Sequence, residues 1–268
     1  MAKDRSDSGD PSRTLELLWR EAGGDGRAGG GGGGGGGRSG ARTRGPKQGL
    51  SVDAVVGAAI AVADAEGLDA VTMRRVAQHL GVTPMTLYTY VPGKAELLDL
   101  MLDAVYLRME RPAAPGGSWR ERISAIAHEN LALYVRHSWV SALPLSRPPL
   151  GPGLMAKYEH ELSAFEGLGL GDVQQDLALS HLLAFVQSIA RTAHDAAAVE
   201  RETAMSDEQW WTANAPLLAR VFDPDRYPVA TRVGSAAGEA YQALHSPDRA
   251  YEFGLALILD GLERLIEG

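Results

Sequence analysis

The chain has 268 residues, 45% of them hydrophobic, with 26 Lys+Arg against 34 Asp+Glu, a formal charge of −8 and no cysteine. Those counts exclude cysteine-ligated zinc, disulfide frameworks and thiol nucleophiles. No apolar run reaches the ~20 residues of a membrane span, and no apolar stretch follows Met1–Asp10 to serve as a signal peptide, so a cytoplasmic protein away from membranes is expected.

The charge is uneven along the chain. Residues 1–37 carry net −1, residues 38–98 net +2, and the remainder net −9. Such asymmetry says more about partners than the acidic total does. In chain order, the first candidate element is Thr14–Ala22, TLELLWREA, where Leu15, Leu18 and Trp19 fall at i, i+3 and i+4 on one helical face. A helix this short is marginal alone, so its state depends on docking. Gly23–Gly37 follows, with nine glycines unbroken from Gly29. Glycine loses the most backbone entropy on ordering, so this stretch is expected to be a tether reaching roughly 20 Å. It is no phosphate-binding loop, because Arg38-Ser39-Gly40 stands where Gly-Lys-Ser/Thr is needed. Arg38, Arg42, Arg44 and Lys47 then lie within ten residues that contain no acid.

From residue 51 onward the apolar spacing is helical, without the sustained alternation of a strand, and an all-α fold is expected. Breaks fall at Arg111–Gly117, Pro144–Gly153, Gly167–Gly171, Phe222–Pro228 and His245–Pro247, implying nine or ten helices. Ser51 is a good N-cap for a helix with the apolar stripe Val52, Val55, Val56, Ala59, Ile60 and Ala63, ended by Gly67. Thr72 caps a second helix, Met73–Leu80, with Val76, Ala77 and Leu80 inward, and Gly81 makes the turn. Thr83 and Pro84 start a third, because proline at the first helical position is pre-shaped and loses no hydrogen bond there. Two short helices joined through glycine, the second showing Met85, Thr86, Tyr88, Thr89 and Tyr90, have the form of a DNA-reading helix-turn-helix. Similar corners occur in all-α enzymes. The residue types favour DNA: hydroxyls donate to phosphate oxygens, methyl groups touch thymine, and Arg74, Arg75 and Lys94 add positive charge.

Ser51–Leu102, and above all AVTMRRVAQHLGVTPMTLYTYVPGKAELLDLML (70–102), resembles the TetR family of bacterial transcriptional regulators. Leu87, Tyr88, Tyr90, Val91 and Lys94 reproduce that family's Leu-Tyr-x-Tyr/His-Val/Phe-x-x-Lys pattern, over about a fifth of the chain. Arg42–Ser51 and the upstream Leu-Leu-Trp helix look like an actinomycete-type subgroup, from which the nine-glycine run departs. The resemblance implies that Thr72, Tyr88 and Lys94 bind phosphate and that Arg74 reaches a base or phosphate. It implies that Thr83, Pro84, Met85, Thr86, Thr89 and Tyr90 face the groove, and that Arg42, Arg44 and Lys47 form an arm along phosphates or in a flanking minor groove. It implies three parts: a flexible extension (1–47), a three-helix DNA-binding domain (48–98), and a larger helical domain for ligand binding and dimerisation (99–268). The expected partners are an operator duplex, a small-molecule effector and a second copy in a homodimer, with no cofactor.

In the acidic part, Leu177–Ala190 and Tyr251–Ile266 are apolar nearly all round, so both are expected to be buried on several faces, as in a four-helix dimer interface. Tyr134, Trp139, Met155, Tyr158, Phe165, His181, Phe185, Trp210 and Trp211 are candidate pocket walls. Adjacent helical residues diverge, so at most one of the two tryptophans enters a given cavity. An enzyme finds little support. The seven histidines make no H-E-x-x-H, Gly-x-Ser-x-Gly is missing, and Glu159-His160-Glu161 and His194-Asp195 read as solvated helix faces. The alternative is a small-molecule-binding or interaction protein whose helix-turn-helix no longer reads DNA.

Overall fold

The computed structural model describes residues 11–21, 50–112, 117–144, 147–241 and 246–267, in which every regular element is helical. The glycine tether and Arg42, Arg44 and Lys47 lie outside the described residues. Twelve α-helices appear among them, eleven of them from residue 51 onward, where nine or ten were expected. The chain divides into two compact units, Met1–Arg111 with Leu143–His160, and Pro112–Ala142 with Glu161–Gly268.

In the first unit, α1 (Pro11–Leu18) starts and ends earlier than its apolar spacing suggested, and it docks against α5 (Lys94–Leu107). Leu18 is buried, worth about 1.5–3 kcal/mol, which explains how so short a helix persists. The indole N–H of Trp19 donates to the Leu150 carbonyl at 2.9 Å, and Arg20 pairs with Asp53. The second helix, α2 (Val52–Glu66), starts at Ser51, whose hydroxyl accepts from the Ala54 N–H, and it ends at Gly67, where φ is 86°. A single 3-10 turn, Leu68–Ala70, leads to α3 (Met73–Leu80) and α4 (Pro84–Tyr88). Val55, Val56, Ala59, Val76, Leu87, Leu97 and Met101 form the core under them.

Asp103 of α5, itself buried, accepts from the Leu154 N–H at 2.9 Å and so caps the start of α8 (Pro152–Ser163). Gly151 and Gly153 permit this approach, because a Cβ on either would fall 2.0–2.6 Å from Asp103 atoms. Lys157 is likewise buried, its ammonium 5.2 Å from the centre of the Tyr106 ring.

The second unit is built on α6 (Trp119–Arg136), α9 (Asp172–Thr203) and α12 (Pro247–Ile266), which pack on one another, with the short α7 (Ser138–Ser141) against α9. Ser118 and Glu121 form a reciprocal capping box at the start of α6. Arg120 ties α6 to Asp260 and Glu263 of α12 at 2.8 and 2.7 Å. The separation of α10 (Asp207–Val221) from α9 accounts for part of the higher helix count, whereas α11 (Pro228–Tyr241) follows the expected break at Phe222–Pro228. The break before α10 has neither glycine nor proline: Ala204 takes φ 52°, and Ser206 with Gln209 makes a second capping box. That Ser-x-x-Gln spacing was the available signal.

The expectation that α9 and α12 are buried on several faces does not hold within a single chain. In α9 only Leu179, Leu182, Val186 and Ala190 are buried, and in α12 only Tyr251, Leu255, Leu259 and Leu262. Each helix therefore buries one stripe and leaves a second apolar stripe in water. The expected solvated face at Glu159-His160-Glu161 is also corrected for Glu161, which is buried and accepts from the Asn130 amide at 2.6 Å. A triplet on one helix spans faces 100° apart, so burial of one member cannot be inferred from the other two.

Candidate nucleic-acid interface

The helix-turn-helix is built outward from its apolar anchors. Met73, Val76 and Ala77 turn α3 inward, and Leu87 of α4 and Val91 in the loop after it are fully buried. With these faces fixed, the opposite faces must point to solvent. Gly81 takes the left-handed conformation, φ 68° and ψ 29°, and lets the chain reverse within three residues. Thr72 caps α3 by accepting from the Arg75 N–H at 3.1 Å, which leaves its hydroxyl proton free to donate. Thr83 and Thr86 bring their hydroxyls within 3.0 Å, and Thr89 donates to the Thr86 carbonyl. Thr89 caps α4 rather than continuing it.

On the outer face, Met85 is 74% exposed and Tyr88 44% exposed, with Thr83, Pro84 and Thr89 also exposed and Thr86 and Tyr90 half-buried. Lys94, half-buried, is the first residue of α5. The two arginines of α3 separate. Arg75 turns back to Glu66, its guanidinium Nε 3.0 and 3.1 Å from the two carboxylate oxygens. That bond holds the Glu66 carboxyl below its ordinary range and raises Arg75. Arg74 points outward and makes no ion pair among the described residues, so it is the cation α3 can offer to a phosphate or base.

The other candidate side chains scatter. Met155 and Tyr158 are exposed on the part of α8 that belongs to the first unit. In the second unit Tyr134, Trp139 and Phe165 are buried, the half-buried Phe185 stacks on Tyr251 with centroids 6.0 Å apart, and His181 is exposed. Trp210 is exposed, while Trp211 lies on Gly238 of α11, as diverging neighbours must. His181 does face a cavity of about 460 Å³ between α9 and α12, lined by Leu177, Ala178, Leu257, Gly261 and Leu265. Sequence reasoning missed Asn130, Glu161 and Tyr251. The Asn130 carbonyl oxygen and the Tyr251 hydroxyl are buried without a partner among the described residues, and burial pushes the Tyr251 phenol up to about 12.

Two family models match the chain: "Bacterial regulatory proteins, tetR family" over residues 55–101, and "Tetracyclin repressor-like, C-terminal domain" over residues 111–266. The chain belongs to the TetR family. It is a DNA-binding transcriptional regulator with a helix-turn-helix at α3–α4. Over 266 residues it is 42% identical to the HTH-type transcriptional repressor DrrR1 of Streptomyces coeruleorubidus, covering 98% of this chain and 89% of that relative. It is 26% identical over 220 residues to the class C tetracycline repressor protein of Escherichia coli, covering 81% and 92%. Among solved structures, ActR of Streptomyces coelicolor in complex with actinorhodin is similar, with a TM-score of 0.66 and 28% identity over 80% of this chain and 96% of that one. No helix of the described residues is long and apolar enough to cross a membrane.

Proposed function

We propose that the protein is a homodimeric repressor whose two α4 helices read the half-sites of a pseudo-palindromic operator, and that a small molecule bound within residues 99–268 releases it. The observation that carries this reading is the outward face of the helix-turn-helix. Arg74, Met85, Tyr88 and Thr89 are presented together on buried Leu87 and Val91, with Arg75 withdrawn to Glu66. Thr72, Tyr88 and Lys94 hold phosphates. Arg74 reaches a base or phosphate, and Thr83, Pro84, Met85, Thr86, Thr89 and Tyr90 face the groove. Residues 48–98 do the reading, and Arg42, Arg44 and Lys47 of the 1–47 extension add an arm along the flanking duplex. Such a regulator works on chromosomal DNA in the cytoplasm and needs no cofactor.

Dimerisation is supported by the uncovered stripes. Phe253, Leu257, Gly261 and Leu265 recur every four residues on α12, as do Val173, Leu177 and His181 on α9, and all but Gly261 are known to be exposed large side chains or an exposed imidazole. A Cβ on Gly261 would meet nothing within the chain, which leaves room for a second copy to approach closely. The effector reading rests on the buried aromatics Tyr134, Trp139 and Phe165 with the polar pair Asn130–Glu161, and ActR's complex with actinorhodin makes that compound the first to try. The effector would favour a conformer whose recognition helices no longer match the half-site spacing.

The first experiment is electrophoretic mobility of DNA from beside the protein's own gene, across a salt range. A salt-dependent shift is expected. No shift with any fragment would favour an interaction protein whose helix-turn-helix has lost DNA. On a shifted fragment, Tyr88→Phe and Lys94→Ala should weaken binding equally for all operator variants, by about 1–2 kcal/mol each, while changes at Met85 or Thr86 should alter base preference. Equal losses on every operator for both groups would refute this division. Deleting residues 1–47 should weaken binding and flatten its salt dependence, because fewer counterions are released. Unchanged affinity and salt slope would remove the arm.

A further inference from the structure

The N-terminal helix reaches farther into the DNA-binding unit than a docked tail would. Its last residue, Leu18, and the turn that follows it touch three elements. Leu18 is buried and α1 lies on α5. The Trp19 indole N–H donates to the carbonyl of Leu150, just before α8, at 2.9 Å and a sequence separation of 131. Arg20 pairs with Asp53 in the first turn of α2, and its other guanidinium nitrogen donates to the Leu17 carbonyl at 2.7 Å, which fixes the guanidinium from behind.

The segment that Trp19 holds has a double membership. Leu143–His160 lies within the match to the regulatory-domain family model, residues 111–266, yet it is compact with the helix-turn-helix unit. It is where regulatory sequence enters the DNA-binding unit, and its hold there is stiff. Asp103 caps α8 through Leu154, and Gly151 and Gly153 leave no free space against Asp103. Helix α2, at the other end of the strap, packs on α3, which packs on α4. Any displacement of the α8 start relative to α2 must therefore break Trp19–Leu150 or Arg20–Asp53, or carry α2 along.

We propose that Trp19 and Arg20 are positioning residues for DNA recognition, and that α1 is a strap transmitting the position of the α8 start to α2 and so to the helix-turn-helix. This rests on the DNA-binding reading above. Coupling is reciprocal, so operator DNA must be felt at the far end of the strap without any effector being known.

The test is hydrogen exchange of the full-length protein, free and bound to a DNA fragment that the wild type shifts, read at the amides of Leu150, Gly151, Gly153, Leu154 and Met155. In the wild type, DNA should slow exchange there by roughly fivefold, and in Trp19→Ala and Arg20→Gln by less than about twofold. Operator affinity should fall in both variants with the salt slope unchanged, since no phosphate contact is removed. Should Trp19→Ala disturb folding, Arg20→Gln keeps the test intact, because an exposed ion pair contributes little to stability. Equal slowing in wild type and variants, or none in a wild type that binds DNA, overturns the strap. A wild type that binds no DNA overturns the functional reading itself, and the strap with it.

Discussion

Replacing Leu257 and Leu265 together by glutamate is expected to turn the protein into a monomer and to lower operator affinity by on the order of 100-fold. The two leucines are 56% and 59% exposed in the single chain, and Leu177 across the cavity is 61% exposed. Exposed positions carry little folding free energy, so the double variant should keep the melting behaviour and helicity of the parent chain. Its defect would be confined to association, because pairing with a second copy would bury four carboxylates without partners. Operator affinity follows from geometry. Two half-sites bound by one dimer make the second contact intramolecular, and that advantage vanishes when the protomers separate. Sedimentation of the variant gives the first readout and a mobility shift the second. A variant that remains dimeric, or a monomer that binds with parental affinity, would remove α9 and α12 from the interface.

The second large effect concerns stability. Gly153→Ala should cost about 3 kcal/mol, because overpacking against backbone cannot be relieved by rotating a side chain. The added Cβ would sit 2.0 Å from the Asp103 carbonyl oxygen and 2.9 Å from the Leu107 nitrogen. Gly57→Ala is the matched control. It lies in the interior of α2 with nothing within 4 Å of a new Cβ, so the higher helix propensity of alanine should stabilise the chain by about 0.5–1 kcal/mol. Urea unfolding of the two variants distinguishes them by sign. Equal effects would mean that α8 does not start against Asp103. The same contact has a signature in pH. Burial pushes the Asp103 carboxyl above its ordinary 3.8, against the backbone N–H bonds from Leu154 and Gly153, which pull it down. Its folded state thus keeps a proton that the unfolded chain has lost. The contribution is fully present below the unfolded value and is lost as pH rises through the folded one. Asp103→Asn should flatten the stability profile in the window between the two, above the unfolded value and below the folded one.

Much of the DNA-reading end was legible in the sequence because its signals are local. Ser51, Thr72 and Pro84 act on residues three or four positions away, Gly81 marks its own turn, and the Leu87–Lys94 pattern is contained in eight residues. The start of α10 also carries a local signal, Ser206 and Gln209, but it lies at a break without the glycine or proline that marks the others. The outward Met85 and Tyr88 follow once Leu87 is recognised as the buried residue.

By itself, the sequence determined an all-helical chain without thiol chemistry, a helix-turn-helix with a basic flank, and an acidic body with more apolar helix surface than one face can bury. Only the tertiary structure decided between residues of equal appearance. Arg74 and Arg75 are neighbours of one type, but Glu66, nine residues away, claims the second. Glu159 and Glu161 look alike, but Asn130, 31 residues away, meets only Glu161. Leu18 and Trp19 needed α5 and Leu150, the latter 131 residues distant, to hold a helix too short to stand alone. The reason is physical: helix propensity, capping and turns act within a few residues, whereas partnership of a charge or burial of a face depends on segments that folding alone brings together.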